Sequence, residues 1–154
     1  LFKLGLAPRK GLLFARFMQK HPFSAELLET AGLLKTLDNG KKKVFFSNRV
    51  TFPILDPGGS VIGFSARKIS EETLGPKYIN TPETPVFKKS HTLYGLSFSR
   101  IRIAKEKQAI VVEGQIDALR LIQAGFNITV AGQGTAFTED HIKELLTLGI
   151  TKVY

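Results

Sequence analysis

Glu113 and Asp117 are the residues of this 154-residue chain whose types and spacing come nearest to a reaction centre. They sit in AIVVEGQIDALRLIQAG, residues 109–125, where an uncharged, largely β-branched run passes directly into a helical period. Ala109 to Val112 has the pattern of a strand buried on both faces in a parallel sheet. Glu113-Gly114 ends it. From Gln115, the residues Ile116, Leu119, Leu121 and Ile122 mark an apolar helix face, and Gly125 stands where a C-terminal glycine belongs. Open parallel sheets bind ligands at the carboxyl ends of their strands, so Glu113 is expected at that rim and Asp117 one helical turn further on. Two hard oxygen ligands placed there can hold Mg²⁺, which keeps waters and is completed by a substrate's phosphates. An acidic residue in a first helical turn also complements the helix dipole with no metal present, and spacing alone favours that plainer explanation.

The elements that must position these carboxylates repeat the pattern. Asn127 to Val130 reads as a second strand, Gly132-Gln133-Gly134-Thr135 as a strand-to-helix turn, and Thr138 to Leu148 as a second helix. Lys152-Val153-Tyr154 opens a third strand. VVEGQIDALRL, AGQGTAFTEDHI and TKVY resemble the first half of a Toprim fold, the metal-dependent module shared by primases, topoisomerases and some nucleases. The resemblance implies that Glu113 and Asp117 work with an Asp-x-Asp pair on a strand expected just after Tyr154.

Composition divides the chain. Residues 1–110 hold 19 Lys and Arg against 8 Asp and Glu, whereas residues 111–154 hold 3 against 5, and the whole carries +9. A basic part joined to a mildly acidic one suits a protein that holds a polyanion with the first and a metal with the second. With 43% hydrophobic residues and 12 Phe the chain can build a core. The absence of cysteine excludes disulfides and thiolate zinc sites, agrees with a cytoplasmic setting, and leaves three scattered histidines as no metal cluster. No run is apolar enough for a membrane span, and the start at Leu1 with the stop inside a strand suggests a piece of a longer protein.

Before the Toprim half, Leu12–Gln19 and Ser24–Leu34 read as short amphipathic helices, and Asp38-Asn39-Gly40 as a turn. Val44–Phe46, then Val50–Leu55, the turn Asp56-Pro57-Gly58-Gly59 and Val61–Phe64 read as extended segments with a hairpin, Pro53 requiring an edge or bulge. A winged helix is disfavoured, because its second helix would carry Glu26 and Glu29 and no cation. Ser70–His91 is too Pro-rich for a helix and is expected to be a surface segment, ordered or floppy. Its Lys77, Tyr78, Asn80, Lys88 and Lys89 mix cations, an aromatic platform and an amide, which suits phosphates and bases but equally describes a solvated loop. Ser99–Gln108 reads as a charged helix linking the two parts.

FKLGLAP, NRVTFPILD, VIGFSARKI, PKYINTPETPVFKKSHTLYGL and VVEGQIDALRL, in that order, resemble the catalytic core of the bacterial replicative DNA primase family. The match runs along nearly the whole chain. It implies an α+β basic subdomain over residues 1–107, followed at 108–154 by a truncated α/β Toprim fold with a parallel sheet in βαβα order. It implies template-directed nucleotidyl transfer on single-stranded DNA with Mg²⁺ or Mn²⁺, whose further ligands are expected beyond Tyr154, and no zinc here. Glu113 would be the catalytic residue and a metal ligand, and Asp117 a direct or water-mediated ligand; their division of roles stays open. Arg49, Arg67 and Lys88 would contact nucleic acid. Lys77, Tyr78, Asn80 and Lys89 would line the site for ribonucleoside triphosphates, which guanosine alarmones also occupy, and a replicative helicase would dock through regions outside this chain. The family's usual arginine is replaced by Ser47, and its Tyr-Met by Gln115-Ile116, while both acidic positions are kept. A Toprim nuclease or topoisomerase remains a rival, although Tyr78, Tyr94 and Tyr154 suit stacking or core better than nucleophilic attack. So does a non-catalytic single-strand-binding module.

Overall fold

The computed structural model describes residues 2–9, 12–134 and 136–154. Its elements, in chain order, are β1 (Gly5–Ala7), α1 (Leu12–Lys20), α2 (Ala25–Thr30), β2 (Leu34–Thr36), β3 (Lys42–Val44), β4 (Arg49–Leu55), β5 (Val61–Lys68), β6 (Tyr78–Asn80), α3 (Leu96–Glu106), β7 (Gln108–Val112), α4 (Gln115–Gln123), β8 (Thr129–Ala131), α5 (Glu139–Thr147) and β9 (Lys152–Val153). They form a four-stranded sheet in the order β1-β4-β5-β6, a β2-β3 ribbon, and a three-stranded sheet in the order β8-β7-β9. Contacts group Leu1–Pro53 with Gly63–Phe87, and Ile54–Ile62 with Lys88–Tyr154. Segment 88–107, assigned from sequence to the basic part, therefore groups with the parallel sheet.

In the first unit α2 is shorter than its period suggests. Ser24 caps it, Leu27 N–H donating to Ser24 Oγ at 3.1 Å. At the other end Gly32 N–H donates to Glu29 O at 2.9 Å and Leu33 N–H to Leu28 O at 2.8 Å, the paired bonds of a Schellman stop. Gly32 needs its positive φ of 69°, and a Cβ there would lie 2.9 Å from both Pro82 Cδ and Thr81 Cγ2. Leu34, expected at the end of the helix, instead opens β2. The Asp38-Asn39-Gly40 turn then joins β2 to β3 with Leu34 opposite Val44, which moves the expected 44–46 strand back to Lys42–Val44. The β4-β5 hairpin forms around the expected turn, with Ser60 N–H donating to Asp56 Oδ1 at 2.9 Å, and its return strand runs on to Lys68 rather than ending at Phe64. β1 covers only Arg49–Thr51, so Pro53 lies beyond its reach, where a missing N–H is tolerated.

The Pro-rich segment is ordered and contains a strand. β6 pairs antiparallel with β5, placing Ser65, Ala66 and Arg67 opposite Asn80, Ile79 and Tyr78. Thr81 extends the hold, its N–H donating to Phe64 O at 2.8 Å and its Oγ1 accepting from Phe64 N–H at 2.8 Å. Phe87, fully buried, packs near Gly63, where a Cβ would already touch its ring at 3.5 Å.

The second unit is the expected parallel sheet. β7 lies between β8 and β9, with Val112 level with Ala131 and Ala109 with Val153. Leu93, Leu96, Ile103, Ala109, Ile128, Val130 and Leu145 make its core. α3 thus runs 96–106 rather than 99–108, and it is a core helix rather than a charged linker. Its buried Ser99 is satisfied by donating to Thr129 O at 2.9 Å. α5 runs Glu139–Thr147, and Thr138, expected as its first residue, caps it.

Candidate functional site

Glu113 follows directly on β7, the central strand, and Asp117 lies in the first turn of α4. Both are exposed at the carboxyl edge of the parallel sheet, where the turns after β7 and β8 lie level with each other. Thr135, in the second of these turns, falls outside the described residues. Between the two acids Gly114 is the N-cap of α4 and makes no side-chain capping bond. Asp117 folds back over it: a Cβ on Gly114 would stand 3.1 Å from Asp117 Oδ2. Glycine at 114 therefore leaves room for the Asp117 carboxylate. These two acids fit Mg²⁺ as part of a set, being hard, solvent-accessible oxygen donors beside a helix N-terminus. Among the described residues no group of three or more His, Cys, Asp and Glu could hold a metal.

Arg67 and Tyr78, eleven positions apart in the chain, are opposite one another across β5 and β6. Directly opposed side chains of an antiparallel pair share a face, with Cβ atoms about 5 Å apart. Ser65 and Asn80 continue that face two residues along, more buried, while Arg67 and Tyr78 are exposed at its end. Four side chains, three of them predicted for template or nucleotide, are brought together by strand register. Lys77 is exposed just before β6, and its carbonyl accepts from Lys68 N–H at 2.9 Å. Lys88 and Lys89 follow Phe87 and belong to the second unit.

Arg49 has a different environment from the one expected. It is 3% exposed, and its guanidinium donates to the carbonyls of Leu74 and Pro76 at 3.0 Å each and of Lys77 at 3.3 Å. Burial pushes its pKa down, though a guanidinium stays charged. Arg49 braces the 74–77 loop rather than standing at the surface for phosphate.

The structure gathers Arg9, Lys35 and Lys43, none of them assigned to a site from sequence, near Arg49. A hollow of about 520 Å³ in the first unit is lined by Arg9, Lys35, Lys43 and Arg49, with Glu72 the only acid on its wall among the described residues. Lys35 and Lys43 are directly opposed in the β2-β3 ribbon and both exposed. Opposed like charges are unfavourable in a sheet, and an anion between them relieves the repulsion. The signal was present: a hairpin centred on Asn39 pairs position 35 with position 43.

Two family models match the chain: the DNA primase catalytic core, N-terminal domain, over residues 1–100, and the Toprim domain over residues 107–154. This chain belongs to the DnaG-type DNA primase family. It is 54% identical over 153 residues to the DNA primase of Chlamydia pneumoniae, covering 99% of this chain and 25% of that one. It is 40% identical over 144 residues to the DNA primase of Geobacillus stearothermophilus, covering 94% and 24%. The primase-family chain thus spans about a quarter of the length of these curated relatives. Among solved structures it is similar to the E. coli primase catalytic core, with a TM-score of 0.85 and 40% identity over 99% of this chain and 48% of that one. It is also similar to the RNA polymerase domain of Mycobacterium tuberculosis primase, solved with a double-stranded DNA oligomer bearing a 6-nucleotide overhang, with a TM-score of 0.88 and 38% identity over 96% and 46%. The α+β part followed by a parallel Toprim sheet is the architecture of that family. Among the described residues no helix is long and apolar enough to cross a membrane.

Proposed function

We propose that this chain is part of a cytoplasmic DNA primase that makes short RNA primers on single-stranded DNA, residues 1–107 holding template and nucleotide and residues 108–154 supplying the first carboxylates of a metal site. The observation that carries the proposal is Glu113 at the carboxyl end of the central parallel strand with the Asp117 carboxylate beside Gly114, the residue that follows it. Bound Mg²⁺ or Mn²⁺ would neutralise charge developing on the triphosphate and favour the ionised form of the primer 3′ hydroxyl. Glu113 and Asp117 would hold the ion or its waters. Arg67 and Lys88, with Lys35 and Lys43 at the basic hollow, would hold the phosphodiester backbone, and Tyr78 beside Arg67 offers a ring on which a base can stack. Lys77, Asn80 and Lys89 would meet the incoming nucleoside triphosphate, and guanosine alarmones would compete there. A replicative helicase would engage the protein through parts other than this chain.

The test uses the full-length protein with Glu113→Ala or Asp117→Ala. Template-dependent primer synthesis should fall by about 10²-fold or more, while affinity for single-stranded DNA stays within twofold of the parent. Undiminished synthesis in both variants would show that the two acids are helix-start residues and that the chain is a binding module.

A further inference from the structure

The first turn of α5 is tied to the segment that carries Lys89. Thr138 and His141 cap the helix reciprocally: His141 N–H donates to Thr138 Oγ1 at 3.2 Å, and Thr138 N–H donates to His141 Nδ1 at 3.1 Å. Each side chain then uses its remaining polar group on the same distant stretch. Thr138 Oγ1 donates to Ser90 O at 2.7 Å, and His141 Nε2 lies 2.9 Å from Lys89 O. Because Nδ1 accepts and Nε2 faces a carbonyl, the ring is the neutral tautomer with its proton on Nε2. His141 is fully buried. Further bonds stiffen the stretch, with Thr92 Oγ1 donating to Lys88 O at 2.7 Å and His91 Nε2 standing 3.4 Å from Asp140 Oδ2.

A capping box is ordinarily closed by glutamate or glutamine, which can do so at the surface. Nothing in helix capping requires a buried imidazole. What the ring adds is rigidity, with an acceptor on one side for the cap and a donor on the other for the Lys89 carbonyl. A lysine is a long chain that loses rotamer freedom when it grips a phosphate, and fixing its backbone lowers the ordering that binding must impose.

We propose that His141 is a positioning residue for nucleotide binding, holding the Lys89 backbone so that the ammonium is presented to the triphosphate. The proposal rests on the reading of Lys89 as a nucleotide contact.

Two substitutions in the full-length protein separate capping from positioning. His141→Asn keeps an acceptor for Thr138 N–H but is too short to reach Lys89 O. His141→Gln can place an amide N–H where Nε2 stood. Primer synthesis on single-stranded DNA should show the apparent KM for nucleoside triphosphates raised roughly three- to tenfold by His141→Asn with kcat little changed, and KM held within twofold by His141→Gln. In a Lys89→Ala background His141→Asn should add nothing, since the group it positions is gone. The positioning role is overturned if His141→Asn raises KM equally with and without Lys89, or leaves KM unchanged in a protein whose KM Lys89→Ala does raise. If Lys89→Ala itself leaves KM unchanged, the nucleotide reading fails and the proposal falls with it.

Discussion

Arg49 and Arg67 show how one residue type takes two jobs eighteen positions apart. Arg49 is itself buried and bonded to three part-buried carbonyls, so Arg49→Ala removes those bonds along with the packing of its stem and should lower stability by about 1–3 kcal/mol in denaturant unfolding. Arg67 is exposed beside Tyr78, so Arg67→Ala should leave stability nearly unchanged and weaken binding of single-stranded DNA more than Lys3→Ala does. Equal losses in a fluorescence titration would take Arg67 off the template path. Tyr94 is a third case. Burial pushes its phenol up to about 12 from an ordinary 10. The folded state then holds the proton more tightly than the unfolded chain, so this contribution is fully present below pH 10 and is lost as pH rises from 10 through about 12. The loss should be on the order of 2 kcal/mol, and phenolate absorbance followed through the titration should show one tyrosine ionising late.

At the scale of elements, the start of α3 is set by a single backbone conformation. Tyr94 bridges antiparallel to Ala131 on β8, its N–H donating to Ala131 O at 2.8 Å and its carbonyl accepting in return at 2.9 Å. The chain must then turn at once into α3, and Gly95 does this with φ 88°, so close to β8 that a Cβ would stand 3.0 Å from Thr129 O. Gly95→Ala should cost about 1–3 kcal/mol through backbone strain and crowding. Calorimetry should find a lower Tm, and an unchanged Tm would mean that β8 and α3 can separate without loss. The β2-β3 ribbon makes the opposite kind of prediction. Lys35→Glu converts a repulsive cross-strand pair into an attractive one, so it should raise the ribbon's stability slightly while weakening DNA binding. Unaltered affinity at low salt would show that the basic hollow does not hold the strand.

For the whole molecule, the division of charge between residues 1–110 and 111–154 predicts that template binding falls steeply as salt rises, because neutralising phosphates releases counterions. The isolated 154-residue chain should make no primers with Mg²⁺ or Mn²⁺, since Glu113 and Asp117 are joined by no third acid among the described residues. Template-dependent dinucleotides from the purified chain would show that these two acids suffice. The sequence by itself determined the βαβα order of the second unit, the parallel sheet, the edge position of Glu113 and the cap at Ser24. Those follow from local causes: β-branched runs, a change of period from two to 3.6, and side chains that bond within one turn. The stop of α2 at Gly32 was half legible, since glycine ends helices but only Thr81 and Pro82 crowd this one. Tertiary structure alone decided that Arg49 is buried and Arg67 is not, that Tyr78 faces Arg67 from a strand inside a Pro-rich stretch, and that His141 reaches the Lys89 carbonyl. Each depends on register or packing between segments far apart in the chain, and a local pattern carries no information on which distant backbone it will meet.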